Sequence, residues 1–214
     1  MANLTTWYDE ILAQVPGCPL ALADWAIRDA AIEFCERSHA HVVDLTAISS
    51  VADTADYALT APSNTEIIEV LAVAYDGAEI EPIGPLEVIR RYGEDWADLA
   101  RIPERYMTQY ATSLKLIPMP ADAVTDGIVV TVALKPSAAA TSVADAIATP
   151  YKRTIAKGAR KTLWLMPKKP WTSLERGAKE EAAFFEECAT AHIQSEKGRT
   201  KAPLRARDFY YGER

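Results

Sequence analysis

The sequence predicts an α+β protein in which N- and C-terminal helical hairpins complete one bundle, a small antiparallel β-domain is inserted between them, and an extended arm follows. Three observations predict it. Apolar residues recur at helical spacing through residues 1–40 and again through 150–197. Between them, residues 41–149 show two-residue alternation broken by Pro, Gly and Asp turn signals. From 198 to 214 periodicity is lost, and the segment carries five Lys+Arg against two acids and three adjacent aromatics.

Taken in order, Leu4 to Val15 reads as a short amphipathic helix through Leu4, Trp7, Tyr8, Ile11, Leu12 and Val15, with Thr5 or Thr6 as its N-cap and Pro16-Gly17 as its stop. A second helix starts near Pro19 and runs to about Ser38, with an apolar stripe through Leu22, Trp25, Ile32 and Cys35. Short connections make the two an antiparallel pair.

Residues 41–48, 56–59 and 66–75 read as strands, and Asp76-Gly77 as the turn of a hairpin whose return strand begins at Ala78. Pro85 to Tyr92 fits a helix with proline at its first position, followed by an acidic loop from Glu94 to Asp98. The stretch from Pro103 to Pro136 reads as a meander, with strands over 105–110, 113–117 and 127–134. Ala, Ser and Thr dominate 137–149, a returning loop with one short helix.

Tyr151 to Leu165 is a basic helix, with Ile155, Ala159, Thr162 and Leu163 toward a core and Lys152, Arg153, Lys157, Arg160 and Lys161 in water. Ser173 can cap a last helix reaching Lys197, with Leu174, Ala178, Ala182, Phe185, Ala189 and His192 along its packed side. These two helices form the second hairpin.

With 214 residues, 49% of them hydrophobic, the chain can bury one ordinary core, or one domain that carries an inserted one. Cys18, Cys35 and Cys188 are few, odd in number and set in apolar helical patterns, which fits reduced core residues. The N-terminus lacks a basic patch followed by an apolar stretch, and no apolar run approaches the roughly 18–20 residues of a membrane span, so a soluble, unexported protein is expected.

The net charge of −7 is unevenly placed. Residues 1–149 hold 8 Lys+Arg against 22 Asp+Glu, and residues 150–214 hold 15 against 8. Such a split suits either nucleic-acid binding at the basic end or copies of one chain meeting through complementary faces. A sequence pI near 5.1 favours the second.

Motifs for catalysis are absent: there is no phosphate loop, dinucleotide fingerprint, zinc-protease motif or nucleophile elbow. His39 and His41 lack further metal ligands at a suitable spacing, and His192 with Cys188 lacks an orienting partner. No catalytic, cofactor or metal residue is therefore assigned. Two binding surfaces remain. One is the run of Lys152, Arg153, Lys157, Arg160, Lys161, Lys168 and Lys169, seven cations with no acid between 150 and 170, which suits subunit or DNA contact. The other is the arm with Arg205, Arg207, Phe209, Tyr210 and Tyr211, residue types that anchor interfaces.

Several segments together carry a resemblance: Pro103 and Tyr106 before the L-x-L-x-P-x-P of Leu114 to Pro120, Pro136 closing a β run, Ile155-Ala156 and Gly158-Ala159 in one helix, Pro170-Trp171, and Ala178 and Phe185 in the next. With Trp25 and Phe34 in the N-terminal helix, they resemble the head-to-tail adaptor (connector) proteins of tailed bacteriophages over about residues 5–197. The resemblance implies a helical bundle with a β insertion, assembled as a ring of usually twelve copies between the portal protein and a tail or nozzle protein. It implies a non-enzymatic virion component of the neck, made in the host bacterial cytoplasm, that lines part of the channel for genomic DNA without reading its sequence. The arm would be the portal-binding element. The alternative from the residues themselves is a nucleic-acid-binding module that uses the basic helix at 152–169.

Overall fold

The computed structural model describes residues 1–198. In chain order, a short strand Ala2–Asn3 (β1) leads through a 3-10 turn, Leu4–Trp7, into helix Tyr8–Leu12 (α1) and the long helix Leu20–Ser38 (α2). Strands Val42–Asp44 (β2), Asp56–Ala58 (β3), Thr65–Tyr75 (β4) and Ala78–Pro82 (β5) follow, then helix Pro85–Tyr92 (α3) and a 3-10 segment, Glu94–Asp98. Next come strands Arg105–Met107 (β6), Ser113–Ile117 (β7), Ile128–Pro136 (β8) and Ser142–Val143 (β9), and last the helices Asp145–Ala148 (α4), Lys152–Leu165 (α5) and Leu174–Lys197 (α6). The protein is mixed α and β with a curled sheet.

Helix α2 begins after Pro19 and ends where His39 takes a left-handed φ of 47° and its N–H bonds to the Cys35 carbonyl. Its buried face is Ala23, Ala26, Ile27, Ala30, Ala31, Phe34 and Cys35, whereas Trp25 is 42% exposed and Leu22 and Ile32 are only half-buried. The expected stripe is thus rotated. Small residues win the buried face because α5 comes so close that a Cβ on Gly158 would stand 2.9 Å from Ala30 Cβ. Close approach of backbones needs Ala and Gly, and bulkier Leu22 and Trp25 are displaced toward solvent.

Helix α6 is rotated too, each buried residue standing one position before the expected one, with Ala178, Ala182 and Ala189 exposed. Gly177, Phe184, Cys188 and Ala191 are buried, while Leu174 is 67% exposed. Ser173 stands at the N-cap position without a side-chain capping bond. At the other end of the chain, the cap is Asn3, whose side chain accepts from the Thr5 N–H, rather than Thr5 or Thr6.

Helices α2, α5 and α6 pack on one another, and α1 packs on α5 and α2. Their core holds Trp7, Ile11, Phe34, Ile155, Leu163 and Phe184 and also takes in Val143 and Ile147 from the returning segment. Each such side chain contributes about 1.5–3 kcal/mol by leaving water. Pairing of β1 with β9 holds the N-terminus against that returning segment.

The seven-stranded sheet has the order β2-β8-β4-β5-β6-β7-β3. Strand β4 pairs with β8 from Thr65↔Pro136 to Tyr75↔Ile128, with register shifts between Ile67 and Glu69 and between Val70 and Ala72. Bulges of this kind bend a strand and raise its twist, which curls the sheet. Asp76 (φ 47°) and Gly77 (φ 78°) both sit left-handed, as the expected two-residue hairpin requires.

The stretch 103–136 is not a meander. β6 and β7 are neighbours, but β7 goes on to pair with β3, and β8 lies across the sheet between β2 and β4. Nor is the sheet wholly antiparallel: β5 and β6 run parallel through Glu81↔Arg105 and Pro82↔Tyr106, because α3 and the 3-10 segment carry the chain back between them. Alternation read the strands, but pairing between distant strands is invisible to it. Leu45, Tyr57, Val73, Tyr106, Leu116 and Val132 are among the residues that fill the sheet's inner face. Helix α2 also packs on β8, where Lys135 donates to Glu36 at 2.6 Å, so the sheet is seated on the helices.

Candidate functional site

The basic helix α5 is built into the helical core rather than laid on it. Its Ile155, Ala156, Gly158, Ala159 and Leu163 are buried, and most of its cations meet carboxylates from other elements. Lys152 lies 3.3 Å from Glu10, and its carbonyl accepts from Trp7 Nε1 at 3.0 Å. Lys157 pairs with Glu187, which also accepts from Thr154 Oγ1 at 2.6 Å. Arg160 reaches Glu180 at 3.1 Å and the Glu10 carbonyl at 3.2 Å.

Lys161 contradicts the expectation that it stays in water. It is 7% exposed, its Nζ donates to Glu33 at 2.6 Å, and it stands 4.9 Å from the ring centroids of both Phe184 and Phe185. Glu33 is held from its other side by Arg37 at 3.0 Å, and the Arg37 guanidinium lies over Phe185. A lysine can bury a long apolar stem if its ammonium finds a partner. Burial by itself would raise the Glu187 carboxyl, but hydrogen bonds from Lys157 and Thr154 overcome that and hold it below the ordinary carboxylate value.

Four of the seven cations are therefore matched by carboxylates within the subunit, two of them by Glu10 and Glu33 of the acidic N-terminal part. Part of the charge asymmetry in the sequence is internal complementarity. Arg153, Lys168 and Lys169 are exposed, with no ion pair among the described residues. One pattern pointed to this arrangement: Glu180 and Glu187, seven residues apart, fall on one face of α6.

Arg205, Arg207, Phe209, Tyr210 and Tyr211 lie outside the described residues. The described chain runs to Gly198, which shares a shallow pocket with Ala40, Val42, Tyr151, Gln194 and Ser195. Gly198 thus lies at the junction of the helices with the sheet edge β2.

Near that junction, His39 and His192 stack edge to face with centroids 5.7 Å apart, flanked by Glu69 and Glu196 at 3.8 and 3.5 Å. His192 Nδ1 lies 3.3 Å from the Ser38 carbonyl. His41 points its Nδ1 into the interior without a partner, and burial lowers its pKa. Among the described residues no group of three or more His, Cys, Asp or Glu is arranged to hold a metal ion. All three cysteines are free and buried; burial pushes the Cys35 thiol up to about 12 and the Cys188 thiol up to about 11. A thiol so placed stays protonated at neutral pH, which works against nucleophilic use of Cys188 beside His192.

A second surface was not foreseen. The curl brings the two end strands of the sheet, β2 and β3, toward each other, and the segments that follow them line an open groove of about 530 Å³. Leu45, Ala47 and Ile48 form one wall and Ala58, Ala61 and Pro62 the other, with Asp44 at its side. Elsewhere, α3 packs its Val88 with Ile83 and Ile117 in a small separate cluster but leaves Leu86 80% exposed, and nearby in the chain Ile102 is 75% exposed. No described helix is long and apolar enough to cross a membrane. No protein-family model matches the chain, and no curated protein matches it significantly.

Proposed function

We propose that the chain is a structural head-to-tail adaptor of a tailed bacteriophage. Copies form a ring, twelve in the usual arrangement of such adaptors, between the portal protein and the tail or nozzle protein, around the channel that genomic DNA crosses. The helices from both chain ends form the bundle that meets the portal, the β insertion lengthens the channel, and residues 198–214 fasten the joint through Arg205, Arg207, Phe209, Tyr210 and Tyr211. The protein acts in the virion by binding and shape rather than catalysis.

The observation that carries this reading is the layout. Helices from the first forty residues and from 150–197 share one core, and the curled sheet between them in sequence has a core of its own. That layout supports the adaptor reading. The unequal charge supports a ring as well, because an acidic face on one copy and the exposed Arg153, Lys168 and Lys169 on the next can meet head to side, the heterologous contact that closes into a ring. Acidic surface facing the lumen would repel DNA and let it pass.

Deleting residues 198–214 is expected to leave a folded subunit that no longer binds the portal. Portal binding at unchanged affinity would remove the arm from this account. A second reading, a nucleic-acid-binding module on 152–169, rests on those same three exposed cations, and its salt dependence separates it from the first.

A further inference from the structure

The outer edge of β2 is an unfilled strand position. His41 accepts from Leu134 and Leu45 donates to Val130, so the odd-numbered residues of this segment bond inward to β8. In an antiparallel pair the alternate residues then turn their peptide groups the other way. For β2 these are Val42 and Asp44, which have no strand beside them among the described residues. Val42 is also 43% exposed. An open edge of this kind is a template for one more strand.

We propose that in the free subunit residues 199–214 of the same chain fill this place, running along β2 and seating Phe209, Tyr210 and Tyr211 in the groove between residues 44–48 and 58–62. Four observations converge on that occupant. The described chain reaches Gly198 beside Val42, at the start of the open edge. From Val42 to Ile48 is about 20 Å of strand, and the eleven residues from Gly198 to Phe209 extend to about 35 Å, so the aromatics reach the groove with slack.

The groove is mainly apolar, with one threonine on each wall (Thr46 and Thr60), and at about 530 Å³ is of the size that holds compact aromatic groups. Charge agrees as well: residues 199–214 carry five Lys+Arg against two acids, and Asp44 stands exposed at the groove's side in a body that is strongly acidic. Tethering favours the chain's own segment over a second copy, because a short link within one chain gives an effective concentration in the millimolar range. The inference concerns the free subunit and holds whatever the arm binds in an assembly.

The test is hydrogen exchange on the full-length chain, compared with the Phe209→Ser/Tyr210→Ser/Tyr211→Ser variant and with Ala58→Arg, which places a like charge in the groove at an exposed position. Both variants should speed exchange of the Val42 and Asp44 amides by about tenfold, with no dependence on protein concentration. Equal exchange in all three proteins would overturn the proposal. Protection that grows with concentration would also overturn it, by assigning the groove to the arm of a second copy.

Discussion

Lys161 Nζ lies 2.6 Å from Glu33 Oε2 and 4.9 Å from the ring centroids of both Phe184 and Phe185, so one side chain of α5 ties α2 to α6 at the centre of the helical layer. Lys161→Ala removes one of the two cations that hold the half-buried Glu33 carboxylate, leaving Arg37, and also removes a long buried side chain. It should cost about 2–3 kcal/mol, and Lys161→Met, which keeps the stem, about half as much. Urea midpoints at constant m-value measure both.

Gly158→Ala should destabilise although alanine is the better helix former. The added Cβ would stand 2.8 Å from Phe184 Cε2 and 2.9 Å from Ala30 Cβ, both held in the core. Overpacking costs about 1–3 kcal/mol against a propensity gain of at most about 1. Gly177→Ala meets Leu165 Cδ2 and Cγ at 2.6 and 2.8 Å, but Leu165 is only half-buried and can turn toward solvent, so the melting temperature should fall less.

Much of the secondary structure was legible because it rests on local signals: Pro19 before α2, Pro85 opening α3, Asp76-Gly77 at the hairpin, and alternation through 113–117. What was not legible depends on distant partners. The burial of Lys161 needs Glu33, 128 residues away, and the closeness of α2 and α5 needs Gly158 opposite Ala30. The placing of β8 between β2 and β4 is likewise a matter of pairing that alternation does not encode. The seven cations read as one surface because sequence shows their clustering and not the Glu10, Glu180 and Glu187 that meet three of them.

The groove was missed for the same reason. Residues 44–48 and 58–62 carry no motif, and only the curl of the sheet brings them together. Its lining is mixed small apolar residues and threonine, the composition of many ordinary loops.

Stability should fall as pH drops through the ordinary histidine value of 6.5. Burial lowers the His41 pKa in the folded state, so between the two values the unfolded chain binds the extra proton. His41→Gln should flatten that part of the profile, read as urea midpoints at pH 7.5 and 5.5.

Asp29 carries the opposite sign. Burial, helped by Glu33, raises its carboxyl, so its ionised form weakens the fold above that raised value. Asp29→Asn should raise the midpoint at pH 7, and the gain should vanish below the ordinary aspartate value of 3.8.

Duplex DNA binding by the 152–169 surface, read on a subunit from which residues 199–214 are removed, should be weak. With four of seven cations held by carboxylates, no more than Arg153, Lys168 and Lys169 are left on this surface, and the slope of log affinity against log salt should be no steeper than about −3. A slope near −6 would mean that the internal pairs open to meet phosphate and would favour the nucleic-acid reading.

Electron microscopy of the purified protein, alone and mixed with portal rings, tests the central proposal most directly. The account predicts closed rings of this chain stacked coaxially on one end of the portal. Portal rings that stay bare at saturating protein concentration would contradict it.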